Sequence, residues 1–267
     1  MYLNAGCELT YEVTDPTPFV LMLKPRSGYG QWISEERYTL SQKVPVVEFV
    51  DSYGNLCQRL VADAGRFVIT ASAGVETSPT IDVHLGAHFT PVQELPDDAL
   101  QFLLPSRYCQ SDLLGSLAAQ ITAGIPSAYD QVEAIRNWIH LNVEYRYNTS
   151  NTLTTALDTA TQCVGVCRDF THLGIALCRS MTIPARMVVG YLYELKPMDL
   201  HAWFEAFVAG RWYTFDATQA EPRGGRIVIA YGRDAADVAL ATQFGPATLT
   251  EMLVWVNREE TEQVITG

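Results

Sequence analysis

A two-residue turn between two apolar segments constrains the fold of this chain more than any other feature. Residues 201–208 and 211–216 are rich in aromatic residues, as β-strands are, and only Ala209-Gly210 separates them. A turn of this length closes a tight antiparallel hairpin and fixes its register, starting with Val208 opposite Arg211. The chain is therefore predicted to contain an antiparallel sheet with a defined pairing.

The register of this hairpin brings two polar side chains together. It places Trp203 opposite Asp216, and His201 lies two residues earlier on the same strand. Because side chains alternate between the faces of a strand, all three share one face, and His201 and Asp216 become diagonal cross-strand neighbours. A shift of one residue would put them on opposite faces. The spacing therefore predicts an imidazole–carboxylate hydrogen bond.

A cysteine at the start of a predicted helix supplies a third reactive group. Apolar residues at helical spacing predict a buried helix over residues 167–181, and Gly165 lets the backbone turn sharply before Cys167. The first N–H groups of a helix are unpaired and carry partial positive charge, which favours a thiolate and can bind an oxyanion. Acyl chemistry needs a nucleophile, a base and an acceptor that orients the base. We therefore predict Cys167, His201 and Asp216 as a catalytic triad.

Each member of this triad has an ordinary structural explanation when it is taken alone. A cysteine at a helix start is most often a small buried residue, a strand histidine is most often structural, and an Asp before Ala-Thr is most often a turn former. Asp169 and His172 are rival candidates from the helix itself. His172 is five residues after Cys167 and faces away from it, which favours a buried structural role. Cys163 and Cys178 are expected to take no part in the chemistry.

The order of strands and helices predicts an α+β protein of two domains. Residues 1–95 contain short apolar segments between Gly, Pro, Asp and Asn turns, which is typical of a β-sandwich. Residues 96–267 form the second domain, which contains an amphipathic helix over 130–143 and ends in further strands. Residues 148–162 are expected to be irregular, and residues 234–242 to form a short helix.

Composition argues against several classes of protein. The net charge is −12 and no basic stripe offsets it, which argues against general nucleic-acid binding. No segment approaches the ~18 apolar residues of a membrane span. The N-terminus lacks the charged and apolar regions of a signal peptide. A cytoplasmic protein without a membrane partner is therefore expected.

The cysteines indicate free thiols rather than a disulfide scaffold or a metal centre. Six cysteines in 267 residues are too sparse for a disulfide-stabilised fold, and a cytoplasmic setting keeps thiols reduced. Cys163 and Cys167 are four apart, but a zinc site needs closer pairs with further ligands at matched spacing. His84 and His88 lie in a segment that favours a strand or loop. No metal and no cofactor are expected.

The residues around all three triad positions resemble the transglutaminase-like superfamily of papain-type cysteine enzymes, in its bacterial branch. The similarity continues in order from about residue 130 to residue 220 and is far more specific than any one motif. Its matching segments are Gly165–Phe170, Ala176–Arg179, Ile183–Arg186, Val189–Tyr191, His201–Glu205 and Trp212–Thr218. Leu23–Arg26 and Asp51–Asn55 resemble the β-rich region that accompanies this core in bacteria, and Gly232–Val238 resembles the family's tail.

The resemblance implies a β-sandwich followed by a papain-like core, in which the cysteine-bearing helix packs on an antiparallel sheet. It implies Cys167 as nucleophile, His201 as base and acid, and Asp216 as the acceptor that orients the imidazole. It also implies a thioester acyl-enzyme formed from an amide. Arg168 stands where many bacterial relatives carry Gln. The calcium-binding elements of animal transglutaminases are not recognisable.

Three activities remain open on the sequence. The chain is predicted to cleave a peptide or isopeptide amide in a peptide or protein substrate. The first alternative is acyl transfer from a protein glutamine to an amine, which uses the same thioester. The second is a peptide-binding or scaffold module with little turnover. The sequence leaves open the substrate, the oligomeric state and the second oxyanion donor, for which Gln162 and a Trp side chain are the candidates.

Overall fold

The computed structural model describes residues 1–28 and 30–259 and shows an α+β fold with largely antiparallel sheets. The strands are β1 (Tyr2–Val13), β2 (Thr17–Leu21), β3 (Gln31–Leu40), β4 (Val47–Val50), β5 (Leu56–Ala62), β6 (Gly65–Thr77), β7 (Glu144–Tyr145), β8 (Val164–Gly165), β9 (Ala185–Leu192), β10 (His201–Val208), β11 (Arg211–Phe215), β12 (Arg226–Gly232), β13 (Ala241–Gln243) and β14 (Ala247–Arg258). The helices are α1 (Asp97–Leu100), α2 (Gly115–Ile121), α3 (Ala128–Asn142), α4 (Ala156–Gln162) and α5 (Cys167–Ser180). Within the described residues, no helix has the length and apolar character needed to cross a membrane.

One half of the fold is a sandwich of two four-stranded antiparallel sheets, with strand orders β14-β1-β6-β3 and β13-β2-β5-β4. Along much of β6, buried apolar residues alternate with more exposed ones, as expected for a sheet with one buried face. Phe19 of β2 crosses between the sheets and packs against Tyr11 of β1 and Phe67 of β6, with ring centroids 5.1 and 5.6 Å apart. The predicted β-sandwich is confirmed.

The C-terminal strands β13 and β14 pair with strands of this sandwich. β14 pairs along most of β1, and β13 pairs with β2. The sequence pattern groups these strands with residues 96–267, because a local pattern shows that a strand exists but not which partner it chooses. The pairing covers an edge of β1 that would otherwise be open to other chains. The division at residue 95 stays a prediction, and residues 260–267 lie outside the described part of the chain.

The other half packs α5 against the antiparallel sheet β11-β10-β9-β12. Gly174 of α5 lies on the ring of Phe204 in β10, where a Cβ would come 2.5 Å from ring atom Cε1. The β10–β11 hairpin has the predicted register, with Val208 opposite Arg211, and its two turn residues have positive φ of 46° and 81°. Positive φ at both central positions is what a type I′ turn requires. The helix-on-sheet core and the hairpin register are confirmed.

Side chains of the sandwich cover the outer edge of β12. The amide of Gln31 bonds both the N–H and the C=O of Val228, and the amide of Asn55 does the same at Tyr231, with distances of 2.7 to 2.9 Å. An edge strand normally leaves such groups unpaired. The sandwich therefore holds β12 in place against the rest of the core.

The prediction of an irregular segment over residues 148–162 is wrong in its second half, where α4 forms. Thr155 and Asp158 make a capping box at the start of this helix, in which each side chain bonds the other residue's backbone N–H. The Thr- and Asn-rich composition of the segment obscures this short-range signal.

The prediction of a short helix over residues 234–242 is also wrong. The carboxylate of Asp234 accepts the N–H groups of Tyr108 and Ala236 at 2.7 and 2.9 Å, which holds this segment as turns. The segment then enters β13, whose pairing with β2 competes with a helix. Such a long-range pairing leaves no trace in the local apolar pattern.

Candidate active site

Cys167 is the first residue of α5, and Asp169 shapes the backbone around it. The Asp169 carboxylate accepts the N–H of Val166 at 2.9 Å, as an acidic residue in the first turn of a helix does. It also lies against Gly165, where a Cβ would come 2.7 Å from the Cβ of Asp169. Asp169 therefore caps the helix, and Gly165 leaves room for its side chain. The partly exposed thiol of Cys167 lies at the helix N-terminus that results.

The guanidinium of Arg168 ties the start of α5 to the loop before α4. It contacts the Asp169 carboxylate at 3.1 Å, the carbonyl of Asn151 at 2.7 Å and the hydroxyl of Ser150 at 3.2 Å. Arg168 thus stabilises the loop that stands beside the thiol.

His201 and Asp216 form the hydrogen bond that the hairpin register predicts. The distance from His201 Nε2 to Asp216 Oδ2 is 2.8 Å, and both side chains are almost fully buried. This bond uses Nε2 and leaves Nδ1 free of the carboxylate. His201 and Cys167 line the same cleft, and the thiol contributes to raising the pKa of the imidazole. The structure thus brings the three predicted residues together.

Donors surround the Asp216 carboxylate. Its Oδ1 accepts the N–H of Thr218 at 3.0 Å and the Thr218 hydroxyl at 2.7 Å. Its Oδ2 contacts Arg226 Nη1 at 2.9 Å as well as the imidazole. Burial disfavours a charged carboxylate, but the His201 and Arg226 cations and the Thr218 hydroxyl outweigh it and hold the pKa of Asp216 far below its usual value. Asp216 is therefore an anion at neutral pH.

The pKa of His201 is raised to about 9. Burial by itself lowers this pKa, but the charge and hydrogen bond of Asp216 outweigh burial, and the Cys167 thiol adds to them. At neutral pH the ring is therefore an imidazolium. An imidazolium is the partner that stabilises a thiolate.

The remaining thiols and His172 stand apart from this site. Cys109 and Cys178 are buried, and burial raises the pKa of both, that of Cys109 to about 12. Cys163 is exposed just after α4. His172 is fully buried, accepts the N–H of Ala235 at 3.1 Å and has its pKa lowered by burial to about 4, so it is a neutral structural residue. Across the described residues, no three His, Cys, Asp or Glu side chains are grouped to hold a metal ion.

Two clefts meet at His201. The larger has a volume of about 370 Å³ and opens on both Cys167 and His201. Its apolar lining consists of Met187, Val189, Leu200, Ala202, Ala235, Val238, Ala239 and Leu240. The smaller has a volume of about 110 Å³ and reaches His201 but not Cys167, and its wall includes Asp199, Lys196 and Gln219. The two clefts that reach the imidazole therefore differ in polarity.

Neither sequence candidate for the second oxyanion donor lines these clefts. Gln162 is exposed at the end of α4. Trp203 is the tryptophan beside His201, and its buried Nε1 has no hydrogen-bond partner among the described residues. The N–H groups at the start of α5 are the donors that lie at the thiol.

Sequence reasoning misses two residues of the site, Tyr145 and Arg226. Tyr145 pairs with Gly165 across β7 and β8, and burial and the nearby Cys167 raise its pKa. Its only signal is an aromatic residue just after a predicted helix. Arg226 is one basic residue at the head of an apolar strand, and no local pattern connects it to Asp216.

Comparison with known proteins shows the class of this protein. The family model of the transglutaminase-like superfamily core matches residues 115–217, which include Cys167, His201 and Asp216. A solved structure from Cytophaga hutchinsonii, described as that of a candidate cysteine protease, is 41% identical, with a TM-score of 0.92. That match covers 98% of this chain and 92% of the other. The chain belongs to the transglutaminase-like superfamily.

Two curated relatives are more distant. ML0607 of Mycobacterium leprae, an uncharacterized protein, is 28% identical over 230 residues, which are 81% of this chain and 82% of that protein. YebA of Bacillus subtilis, also uncharacterized, is 27% identical over 149 residues. This second match spans 47% of the present chain but 18% of YebA.

Proposed function

We propose that this protein is a thiol-dependent amidase that cleaves a peptide or isopeptide bond in a peptide or protein substrate. The observation that carries the proposal is the buried imidazole of His201, which bonds the Asp216 carboxylate at 2.8 Å and lines the same cleft as the thiol of Cys167. The similarity to a candidate cysteine protease over nearly the whole chain supports the same class of chemistry.

These groups suffice for a balanced reaction in two steps. The Cys167 thiolate attacks the amide carbon, and the N–H groups at the start of α5 stabilise the oxyanion that forms. As the C–N bond breaks, His201 gives its proton to the leaving amine, and a thioester remains. Water then attacks the thioester carbon while His201 takes its proton. The C–S bond breaks, the acid leaves, and the thiolate–imidazolium pair is restored.

The two clefts support an assignment for the two halves of the substrate. The acyl group becomes attached to sulfur, so we place it in the larger cleft, which opens on Cys167. The amine receives its proton from His201, so we place it in the smaller cleft. The apolar wall of the larger cleft favours substrates with an apolar side chain beside the acyl group.

Acyl transfer to an amine is the second candidate activity. A neutral amine that replaces water would attack the thioester from the His201 side, and His201 would take its proton as the C–S bond breaks. The polar groups of the smaller cleft, Lys196, Asp199 and Gln219, could hold such an amine. The third candidate, a binding module with little turnover, would hold peptides in the same clefts without an activated thiol.

Alkylation kinetics and product analysis separate the three activities. Iodoacetamide should modify Cys167 much faster than free cysteine at neutral pH, and mass spectrometry should find a thioester on Cys167 after brief incubation with apolar peptide amides. Release of free acid in the presence of excess alkylamine supports the amidase, whereas amide exchange supports the transferase. Alkylation of Cys167 no faster than free cysteine contradicts both and supports the binding module.

We further propose that the protein acts in the cytoplasm, without nucleic-acid or membrane partners. The net charge of −12 supports the absence of nucleic-acid binding. Fractionation of cells that express the natural full-length protein tests the location, and recovery of the protein with the membrane or periplasmic fraction would contradict it.

A further inference from the structure

Two cations share one oxygen of the carboxylate behind His201. Asp216 Oδ2 lies 2.8 Å from His201 Nε2 and 2.9 Å from Arg226 Nη1. The Arg226 side chain is 7% exposed, so water screens this contact little. Arg226 therefore acts on the same anion that holds the imidazole.

The sandwich and the hairpin together fix the position of Arg226. Thr77 Oγ1 of the sandwich donates to the Arg226 carbonyl at 2.8 Å, and Arg226 Nε donates to the Arg223 carbonyl at 2.9 Å. The Arg226 guanidinium lies 4.9 Å from the centre of the Trp203 ring, and that ring lies 6.0 Å from the His201 ring. The guanidinium thus lies at the face of β10 that carries the imidazole.

The burial of Arg226 at this position costs free energy of folding. Neither Nη1 nor Nη2 has an acceptor with hydrogen-bond geometry within the described chain, although both are buried. Burial lowers the pKa of this guanidinium, so desolvation works against its charge. A buried and incompletely bonded cation costs free energy that an apolar side chain of similar size would not. Asp216 already has donors in His201 and Thr218, so folding alone gives little reason for a second cation there.

We propose that Arg226 is a positioning residue for the reaction at Cys167, acting through Asp216. The charge of Arg226 holds the Asp216 carboxylate in place and weakens the attraction of that carboxylate for the imidazolium. His201 is therefore oriented but can still release its proton to the leaving amine. With a full, unshared carboxylate behind it, the imidazolium would be a weaker acid. This inference rests on the proposed amidase function.

Other titratable and charged groups also face this pair, and they must be held constant in any test. Those near His201 are Cys167 of α5, Asp199 before β10 and Tyr145 of β7, and those near Arg226 are Arg223 and Glu205. Arg223 is the useful control, because its guanidinium bonds Tyr193 and Gln219 and not Asp216. Replacing Arg223 removes the same formal charge three residues away.

The test compares Arg226→Met with Arg223→Met by the pH dependence of Cys167 alkylation and of peptide-amide turnover. The alkaline midpoint is the pH at which the rate of Cys167 alkylation is half-changed as His201 loses its proton. For Arg226→Met we expect this midpoint to move up by about 0.5 pH unit or more, because a nearby cation no longer disfavours the protonated imidazole. We expect kcat to fall about tenfold with KM little changed, since proton transfer is affected rather than binding. Arg223→Met should keep the wild-type midpoint, and Arg226→Lys should restore it.

A folded Arg226→Met variant with the wild-type midpoint and kcat overturns the inference. If Arg226→Met does not fold, the neutral variant Arg226→Gln is compared with the charged variant Arg226→Lys. Equal alkaline midpoints in these two variants overturn the inference. Failure of the proposed function has a different result, because Cys167 of the wild-type protein would then alkylate no faster than free cysteine.

Discussion

The two faces of strand β10 have different roles, although their residues alternate along one backbone. One face presents Phe204, between two alanines, to α5, and Phe204 is fully buried there. The other presents His201 and Glu205, with Trp203 between them, to charged partners. Successive side chains of a strand point to opposite sides. The packing of the first face therefore holds the same backbone that carries the groups of the second face. Substitutions on the apolar face should therefore change stability most, and substitutions on the polar face should change reactivity most.

The largest expected effect comes from removing the nucleophile that the polar face serves. Cys167→Ala should lower turnover of a peptide amide by about 10³-fold or more, since no thioester can form. Its melting temperature should stay within about 2 °C of wild type, because the thiol is partly exposed. The assay is turnover beside a thermal melt, with Cys163→Ala as the matched control. Activity retained in Cys167→Ala and lost in Cys163→Ala would move the nucleophile.

The second-largest effect is expected from a substitution on the apolar face of β10. Phe204→Ala should lower the free energy of unfolding by about 3–5 kcal/mol, because a fully buried ring is replaced by a cavity against Gly174. Phe244→Ala is the control, since Phe244 is 65% exposed, and it should change stability by at most about 0.5 kcal/mol. Denaturant titration measures both. Equal effects for the two variants would show that this face carries no special share of the stability.

A smaller effect is expected where the polar face is altered without changing its shape. Asp216→Asn can donate to His201 and stabilise the wrong tautomer, so turnover should fall by roughly 10- to 10³-fold. Folding stability should fall as well, because the buried His201 and Arg226 cations lose the anion that they share, although Thr218 still bonds the same side chain. Turnover and melting temperature are measured together. Unchanged turnover of the folded variant would remove Asp216 from the site, and turnover that is lost only through unfolding would make it a structural residue.

The smallest effect is a pH dependence of stability from His201. Its pKa is about 9 when folded against 6.5 ordinarily, so the folded state binds more protons between these values. Its contribution to stability is therefore complete below pH 6.5 and is lost as pH rises through about 9. The melting temperature of wild type should fall by a few degrees over this window relative to His201→Gln. Parallel curves for the two proteins would contradict the charged pair.

Much of the fold could be predicted because its signals are short-range. The turn after Val208 sets a register that reaches His201 and Asp216, and the apolar spacing after Cys167 defines α5. The β-rich character of the first part of the chain is visible in its turns. The capping box at Thr155 was available in principle, but a polar composition obscured it.

What could not be predicted depends on which distant segments meet. β14 pairs with β1 from the other end of the chain, and β12 is held at its edge by Gln31 and Asn55. Residues 234–242 look helical by themselves and are turned by the bond from the Tyr108 N–H to Asp234 and by strand pairing. For β12 and β14 the remote contact decides the partner of a strand that was predicted. For residues 234–242 it overrides the local preference, which is worth at most about 1 kcal/mol per residue.

The sequence by itself determined the register that joins His201 to Asp216 and the helix that presents Cys167, because turn chemistry and side-chain alternation act over a few residues. Only the tertiary structure decided that Arg226 would share the Asp216 carboxylate and that two clefts of different polarity would meet at His201. Such contacts join side chains from separate strands and loops. Their energies depend on burial and distance, which exist only once the chain has folded.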